Sequence, residues 1–562
     1  MDHRRYRPIP FVSLPDRTWP ERTLTAAPIW CSVDLRDGNQ ALVEPMGSDR
    51  KLMMFETLVK MGFREIEVGF PAASQTDFDF VRMLIEGNHI PEGVAIQVLT
   101  QARQALIERT VDAVQGARKA ILHLYNSTST LQRRVVFAMD RDEVRELAVQ
   151  GTRWVKEAAR RLEGTEVVFE YSPESFTGTE MDYAAQVADA VVETWSPRSD
   201  EKIIINLPAT VEMSTPNRYA DQIEWMHRNL KHRDRILLSV HTHNDRGCSV
   251  AATELAILAG AERVEGTLFG NGERTGNVDL VTVALNLFTQ GVDPGLDLQD
   301  LPSLVEVCEY CNRLPVHQRH PYAGELVFTA FSGSHQDAIK KGLEALKRER
   351  NPIWEVPYLP IDPADVGRQY EPIIRINSQS GKGGVSFVLE HAYGYSLPKG
   401  LAIEFSKFIQ RITDATGEEL PAAKIHQAFQ AEYLRPGRFE LIGFDTRRGR
   451  KDHCSIQATV SDQGRPVTVT GEGNGPIDAF LHGLGQLLGT DVHVHDYKEH
   501  ALGDGENATA VAYVQLRGEG GLSAFGVGRD EDIVAASLRA VLAGAERVLA
   551  SLEEEAAGES AV

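Results

Sequence analysis

A strand-then-helix pattern repeats through the first half of this 562-residue chain. From residue 29 to about 275, short apolar strands alternate with amphipathic helical stretches at intervals of roughly 30 residues, the period of βα units. The repeat predicts an α/β fold, a closed (β/α)8 TIM barrel, with a doubly wound open sheet as the alternative. The predicted strands cover residues 29–35, 65–70, 95–99, 120–125, 166–171, 202–207, 235–240 and 263–268.

Polar side chains gather where the predicted strands end. Strand one runs into Asp37, strand five into Glu174, and strand seven into His241. Barrel enzymes build their sites at the carboxyl ends of the strands, so this distribution favours a barrel with a catalytic mouth. The candidate mouth residues are Arg36, Asp37, His123, Ser172, Glu174, Thr210, His241, His243 and Asn277.

Two histidines in this set suggest a metal site. His241 and His243 are two residues apart at a strand end, so their side chains are expected on the same side. Strands one, seven and eight become neighbours when a barrel closes, which lets Asp37 and Asn277 join the two imidazoles. This mixed ligand set suits Zn²⁺, Mn²⁺, Co²⁺ or Mg²⁺. The alternative is a pair of histidines satisfied by backbone hydrogen bonds.

The other mouth residues have both a chemical and a structural interpretation. Arg36 would bring a fixed positive charge to a place where negative charge develops, or it forms a salt bridge within the barrel. Glu174 would orient a reacting group, or it is a solvated loop carboxylate. Thr210 and His123 would hydrogen-bond a substrate, or they are packed polar residues of the core. Spacing alone does not decide between these interpretations.

Composition excludes several classes of partner. The net charge of −21 argues against nucleic acid and anionic membranes as main partners. No apolar run is long enough to span a membrane, and the first 27 residues lack the apolar core of a secretory signal. Five cysteines in so long a chain indicate a reducing, cytoplasmic environment.

The pattern changes twice after the barrel. Residues 1–28 are predicted to form an N-terminal arm, 29–325 the barrel, 326–432 a mostly helical linker, and 433–562 a duplicated α+β domain. In this last part, two strand, G-x-G turn and helix units recur about 55 residues apart. The turn glycines are Gly471, Gly473, Gly526 and Gly528. Their free N–H groups at helix starts would suit a carboxylate, whereas the alternative is a tight structural turn.

A second histidine pair, His493 and His495, lies in the duplicated part. No cluster of polar strand ends accompanies it. An exposed strand face is therefore the favoured interpretation over a rival metal site.

Three motifs together resemble one enzyme family. Residues 35–40 (LRDGNQ), 241–245 (HTHND) and 270–277 (GNGERTGN) resemble the acyl-CoA-condensing barrel synthases, which include 2-isopropylmalate, homocitrate and citramalate synthases. The stretches 125–129, 206–212 and 377–384 are similar to the long-form 2-isopropylmalate synthases of leucine biosynthesis. The similarity runs over nearly the whole chain from about residue 25.

The resemblance implies a Claisen-type condensation of acetyl-CoA with 2-oxoisovalerate, followed by thioester hydrolysis. By analogy with the family, a divalent Zn, Mg or Mn ion is held by Asp37, His241 and His243, with Asn277 as a further ligand position, and a monovalent cation is a possible activator. Arg36 would stabilise the developing oxyanion. The residues implied to line the keto-acid and acetyl sites are Glu174, His123, Ser172 and Thr210.

The resemblance also implies roles outside the barrel. His335 and Tyr370 match family residues of the intermediate subdomain and would serve proton transfer or thioester hydrolysis. In the family this subdomain reaches over the partner's barrel, which implies a domain-swapped homodimer. The terminal repeat is similar to the regulatory domain that binds leucine, and its G-x-G glycines would contact the amino acid.

Three rival functions remain at this point. The same chemistry on pyruvate or 2-oxoglutarate would make the protein a citramalate or homocitrate synthase. A retro-aldol lyase on a similar barrel is disfavoured by the long intermediate region and the terminal repeat. A catalytically inactive amino-acid sensor is disfavoured by the intact Arg36, Asp37, His241 and His243.

Overall fold

The computed structural model describes residues 2–198, 201–330, 332–350, 352–370, 382–416, 420–449, 453–503, 508–518 and 522–559. The chain divides into two compact units. The first comprises Met1–Phe328 and Pro360–Tyr370, and the second comprises Thr329–Leu359 and Glu371–Val562. Of the family-like stretch 377–384, residues 377–381 lie outside the described part of the chain.

The first unit is a closed barrel of parallel strands, as the repeat predicts. Each strand pairs with the next, and the last pairs with the first, which excludes the open sheet. The strands are β1 (Ile29–Ser32), β2 (Glu65–Gly69), β3 (Ala95–Gln101), β4 (Lys119–Ser127), β5 (Glu166–Glu174), β6 (Ile203–Ala209), β7 (Ile236–Thr242) and β8 (Arg263–Gly266).

Helices cover the outer face of the barrel. The helix Arg141–Ala159 shows why they form: Asp140 and Glu143 make a capping box at its start, and Val144, Ala148 and Val155 place apolar groups on one buried face. The helices are α1 (Ser48–Met61), α2 (Gln75–Glu86), α3 (Gln104–Ala113), α4 (Thr130–Gln132), α5 (Arg141–Ala159), α6 (Met181–Trp195), α7 (Pro216–Asn229), α8 (Ser249–Leu258), α9 (Leu280–Phe288) and α10 (Leu301–Asn312).

Apolar and polar residues occupy different levels inside the barrel. Ala95, Ile121 and Ile204 form an apolar cluster near the amino ends of their strands. Toward the carboxyl ends, the interior is charged, because Glu67 and Glu265 point inward and are fully buried. The apolar end closes the barrel, and the charged end forms the floor of the mouth.

All eight predicted carboxyl ends of the strands differ from the structure, by one to three residues. The first strand stops at Ser32, because Asp34–Gly38 form one wide helical turn, and the last stops at Gly266. Asp34 explains both ends, since its carboxylate accepts hydrogen bonds from the Ser32 hydroxyl and the Leu268 N–H. In contrast, β7 continues to Thr242, so His241 lies within the strand rather than after it.

The segment before the barrel is bound to α7. Arg17 makes two hydrogen bonds of 2.8 Å to the Asp221 carboxylate. Glu224 accepts backbone N–H bonds from Thr18 and Trp19. These contacts fix residues 17–19 on the outside of the barrel.

The second unit combines helices with two three-stranded antiparallel sheets; the first has strand Cys454–Asp462 at its centre and the second has strand Thr509–Arg517 at its centre. Each sheet is followed by one helix, which confirms the predicted duplication. The elements are α11 (Gly333–Glu349), α12 (Lys382–Tyr393), α13 (Lys399–Thr416), α14 (Ala422–Tyr433), β9 (Phe439–Arg448), β10 (Cys454–Asp462), β11 (Arg465–Gly473), α15 (Pro476–Leu488), β12 (His493–Leu502), β13 (Thr509–Arg517), β14 (Ser523–Asp530) and α16 (Ile533–Glu559).

The prediction of G-x-G turns at helix starts is wrong. Gly471 and Gly473 lie inside β11, and Gly526 and Gly528 lie inside β14. A Cβ at any of the four would collide with the following helix, mostly with its backbone. These glycines allow close packing of strand on helix, which explains their presence without a ligand.

The packing also redefines how the repeats correspond. Gly471 faces Ala479 and Gly483, whereas Gly528 faces Ala536 and Ala540. The pairs Gly471 and Gly528, Ala479 and Ala536, and Gly483 and Ala540 are separated by the same number of residues, so Gly471 corresponds to Gly528.

His493 and His495 lie on the exposed strand β12, as the sequence predicts. Among the described residues, no helix has the length and apolarity needed to cross a bilayer.

Candidate active site

The predicted mouth residues line one cavity of about 240 Å³ at the carboxyl ends of the barrel strands. Eight of the nine line it directly, and the ninth, Asn277, pairs with His243 at its edge. The lining residues are Arg36, Asp37, Gln40, Phe70, Leu99, His123, Tyr125, Ser172, Glu174, Asn206, Pro208, Thr210, His241, His243, Glu273 and Arg274.

Asp37 and the two histidines form a compact group. Asp37 Oδ2 lies 3.2 Å from His241 Nε2 and 3.4 Å from His243 Nε2. The imidazole centroids are 5.2 Å apart, and the rings are inclined by 30°. All three residues are buried, and their potential ligand atoms lie within 4.8 Å of one another. This is the convergence that barrel closure predicts.

Asn277 adds a side-chain oxygen that accepts no hydrogen bond from the described residues. The residue is 1% exposed, and its side-chain amide nitrogen donates to the Asn271 carbonyl. Within the described part of the chain, its Oδ1 has no hydrogen-bond partner. A buried amide oxygen without a donor costs free energy unless a cation or another group satisfies it. One carboxylate, two imidazoles and this oxygen therefore fit a divalent cation.

The pKa shifts of Asp37 and His243 favour a bound cation, whereas that of His241 favours a proton on its ring. Burial disfavours an ionised Asp37, but the Arg36 charge and hydrogen bonds from both imidazoles hold the pKa of Asp37 well below its usual range. Burial disfavours a charged His241 too, yet its bonds to Asp37 and Glu265 raise the pKa of His241 to about 9. For His243, burial dominates and lowers the pKa. Asp37 thus carries a full negative charge.

Two structural features hold the loops that carry these residues. Asp34 is fully buried and joins the first and eighth loops through its hydrogen bonds to Ser32 and Leu268. Burial raises the pKa of Asp34 to about 7. In the eighth loop, Gly276 has a φ of +97°, and a Cβ there would overlap the Gly270 carbonyl oxygen. Only glycine fits this close approach, which places Asn277 beside His243.

Arg36 lies between two carboxylates at the mouth. Its Nη1 is 3.0 Å from Asp37 Oδ1, and its Nε is 2.5 Å from Glu67 Oε2. Burial disfavours its charge, but the neighbouring carboxylates outweigh this effect and raise the pKa of Arg36. Because the guanidinium also lines the cavity, it is a fixed cation within reach of a bound molecule.

Ser172, His123 and Glu67 form a hydrogen-bonded series. Asn206 Nδ2 lies 3.0 Å from Ser172 Oγ, which lies 2.7 Å from His123 Nε2. An amide nitrogen only donates, so Ser172 accepts from Asn206 and has its own proton for His123. The second ring nitrogen, Nδ1, lies 2.9 Å from Glu67 Oε1. Glu67 is acceptor-only when ionised, so His123 donates from Nδ1 to this carboxylate.

Glu174 and Thr210 both line the cavity. Burial raises the pKa of Glu174. Thr210 Oγ1 accepts a 2.9 Å hydrogen bond from the Ser175 N–H. Arg274 donates to the Thr210 carbonyl oxygen and pairs with Asp245, which joins the sixth, seventh and eighth loops.

The sequence predictions missed a layer of buried charges beneath the mouth. Glu67, Glu170, Arg263 and Glu265 are fully buried, and Gln97 links several of them. A usable signal was present: charged residues stand two apart in the otherwise apolar strands β2 and β8. Such spacing places them on the same, inward face.

The two predicted acid–base residues outside the barrel lie in different units. His335 is exposed in α11 of the second unit and stacks on Tyr358, with centroids 4.0 Å apart. Tyr370 is the last described residue of the first unit, and its buried hydroxyl has no partner within the described residues. Tyr370 does not line the mouth cavity.

Family models match three successive parts of the chain. The HMGL-like model matches residues 27–308. A model described as alpha-isopropylmalate synthase, post-catalytic domain-like, matches residues 325–390. The LeuA allosteric (dimerisation) domain model matches residues 419–549. The order of these matches follows that of the barrel, the helices and the duplicated sheets.

Full-length relatives agree with these matches. The 2-isopropylmalate synthase of Parafrankia sp. (strain EAN1pec) is 58% identical over 553 residues, which cover 97% of this chain and 98% of the relative. The 2-isopropylmalate synthases of Rhodospirillum rubrum and Agrobacterium fabrum are 57% and 55% identical, each over 97% of this chain and 98% of the relative. The chain belongs to the 2-isopropylmalate synthase family.

Proposed function

We propose that this protein condenses acetyl-CoA with 2-oxoisovalerate and hydrolyses the thioester to give 2-isopropylmalate and CoA. The observation that carries the proposal is the buried group of Asp37, His241 and His243 beside Arg36, in a chain 58% identical to a 2-isopropylmalate synthase. The donor set suits a divalent cation, and the cavity wall supplies acid–base groups.

Asp37, His241 and His243 would hold a divalent Zn, Mg or Mn ion, with Asn277 as a further ligand. When bound, the ion supplies a Lewis acid that polarises the ketone of the keto acid. Arg36 stabilises the negative charge that develops on the ketone oxygen as the new carbon–carbon bond forms. Glu67 already orients the Arg36 guanidinium, so this side chain needs little reorganisation during the reaction.

The first proton transfer is assigned to a cavity residue, and the later ones to two residues that do not line the cavity. Glu174 accepts the proton that the acetyl methyl group loses. Burial raises the pKa of this carboxyl toward neutral pH, where a general base is most effective. His123, Ser172 and Thr210 bind the oxygen atoms of the two substrates through hydrogen bonds. His335 and Tyr370 serve the later proton transfers, in which water adds to the thioester carbonyl and CoA leaves as a thiol.

We further propose that residues 433–562 form a leucine-binding regulatory domain and that the protein acts as a homodimer. The match to the LeuA allosteric (dimerisation) domain supports both proposals. A regulatory role requires that leucine bind two states of the protein with different affinity.

Steady-state kinetics with acetyl-CoA and three keto acids test the main proposal, with thiol release as the signal. We expect 2-oxoisovalerate to exceed pyruvate and 2-oxoglutarate by about tenfold or more in kcat/KM, since one missing methylene changes binding by about 1–3 kcal/mol. Removal of metal by a chelator should abolish thiol release, and added Mg²⁺, Mn²⁺ or Zn²⁺ should restore it.

Two outcomes would contradict the proposal. Preference for pyruvate would assign the citramalate reaction to the same site instead. Thiol release that persists in an Asp37→Ala variant would remove the metal-ligand group from the reaction. A circular-dichroism spectrum of that variant serves as the folding control.

A further inference from the structure

Glu265 lies directly behind the metal-ligand group. It belongs to β8, points into the barrel and is fully buried. Each of its carboxylate oxygens has two hydrogen-bond donors within 3.2 Å. The donors are His241 Nδ1 at 2.9 Å and Asn206 Nδ2 at 3.2 Å for Oε2, and Gln97 Nε2 at 2.8 Å and Arg263 Nη1 at 2.9 Å for Oε1.

The chemistry of these partners fixes the direction of the bond to His241. Amide and guanidinium nitrogens only donate, so Asn206, Gln97 and Arg263 require Glu265 to accept. An ionised carboxylate has no proton to donate, so Glu265 also accepts from His241. The proton of that bond therefore sits on Nδ1, and Nε2 is the nitrogen that faces Asp37.

The second histidine has no such support. His243 Nδ1 is buried and has no hydrogen-bond partner within the described part of the chain. Its Nε2 contacts Asp37 at 3.4 Å, as that of His241 does at 3.2 Å. The two imidazoles thus face the same carboxylate, but only the ring of His241 is held from behind by an anion.

Glu265 is itself held in position. Arg263, two residues earlier on the same inward face, contacts Glu265 Oε1, Ser239 Oγ and Gln97 Oε1. Asn206 bonds both Glu265 and Ser172 of the cavity wall. Glu265 therefore connects a rigid buried layer to the mouth.

We propose that Glu265 is a positioning residue of the metal centre. It fixes the orientation and the tautomer of His241 so that Nε2 is presented to the ion, and through Asn206 it ties this ligand to the substrate-binding wall. The inference rests on the proposed function in one respect, namely that a divalent cation binds at Asp37, His241 and His243. Carboxylates behind metal-binding histidines act in this way in other proteins.

Titration of the metal-free, full-length protein with Co²⁺, followed by absorption spectroscopy, tests the inference. Glu265→Gln keeps the size of the side chain but turns one oxygen into a donor, which conflicts with two of the four donors. We expect the Co²⁺ dissociation constant to rise about 10- to 100-fold. Glu170→Gln is the matched control, because Glu170 is equally buried in the same layer but makes no contact with a proposed metal ligand.

A double-variant cycle separates positioning from general damage. If Glu265 acts through His241, adding Glu265→Gln to His241→Ala should weaken Co²⁺ binding no further. Should Glu265→Gln fail to fold, Glu265→Asp replaces it: this carboxylate keeps its charge toward Arg263 but falls one methylene short of His241. The expected result is again weaker Co²⁺ binding, with the melting temperature near that of the wild type.

Each outcome has one meaning. Wild-type affinity in Glu265→Gln or Glu265→Asp would overturn the inference, as would independent effects in the double-variant cycle. Equal losses in Glu170→Gln would overturn it too, because the whole layer would then matter rather than the contact with His241. Wild-type protein that binds no Co²⁺ would refute the proposed metal-dependent function and the inference together.

Discussion

At the residue scale, Glu67 serves two site residues with its two oxygens. Oε2 accepts from Arg36 Nε at 2.5 Å, and Oε1 accepts from His123 Nδ1 at 2.9 Å. Burial disfavours its ionised form, but Arg36 and His123 outweigh this effect and lower the pKa of Glu67. One buried anion therefore orients both the fixed cation and the imidazole of the mouth.

We predict that Glu67→Gln reduces kcat with 2-oxoisovalerate about 10²- to 10³-fold, the usual effect of losing an oriented electrostatic group. Arg36 and His123 contact different oxygens of Glu67, so the amide of Gln would turn its NH2 donor toward one of them. Co²⁺ affinity should change far less than in Glu265→Gln, because Glu67 contacts none of the proposed metal ligands. Initial rates and Co²⁺ titration measure the two effects; a wild-type kcat would contradict the assignment.

At the element scale, the terminal repeats depend on close packing of strand on helix. A Cβ at Gly528 would lie 2.5 Å from the Ala540 backbone nitrogen and closer still to the Ala536 carbonyl. These neighbours are helix backbone, which cannot rotate away as a side chain can. The helix would have to shift away from β14.

Gly528→Ala should therefore lower the free energy of unfolding of the second unit by about 1–3 kcal/mol, the typical cost of overpacking. Gly443→Ala is the matched control, since Gly443 also lies in a strand but has no atom within 4 Å of an added Cβ. Urea unfolding of the full-length variants measures the difference. Equal stability of the two variants would show that the packing at Gly528 can relax.

At the scale of the whole molecule, the helical region and the terminal repeat of the second unit share a core. Leu401 and Phe429 of the helices pack in one apolar cluster with Tyr513, Phe525 and Val527 of the strands. Removal of residues 433–562 would expose this surface to water. A truncation is therefore a poor test of leucine regulation, and the intact chain is needed.

We predict that leucine inhibits thiol release and slows amide hydrogen exchange within residues 433–562 of the intact protein. Ligand binding stabilises the segment that it contacts, which raises the free energy of local opening. Hydrogen exchange followed by mass spectrometry locates the protection, with alanine as the control amino acid. Leucine protection confined to the barrel would contradict the assignment of the regulatory domain.

Much of the architecture was predictable because it depends on local patterns. The alternation of apolar strands and helices predicts the barrel, and the position of Asp37, His241 and His243 at strand ends predicts their convergence. The duplication after residue 433 is equally visible. The G-x-G prediction failed because a glycine in a turn and a glycine packed on a helix look the same in the sequence.

The sequence by itself determined the element order, the barrel and the residue types available at its mouth, since periodicity and strand ends are local properties. Only the tertiary structure decided which buried groups become partners: His241 with Glu265, His123 with Glu67, and Gly528 with the backbone of α16. Barrel closure and helix docking bring together residues far apart in the chain, and no local pattern records those distances.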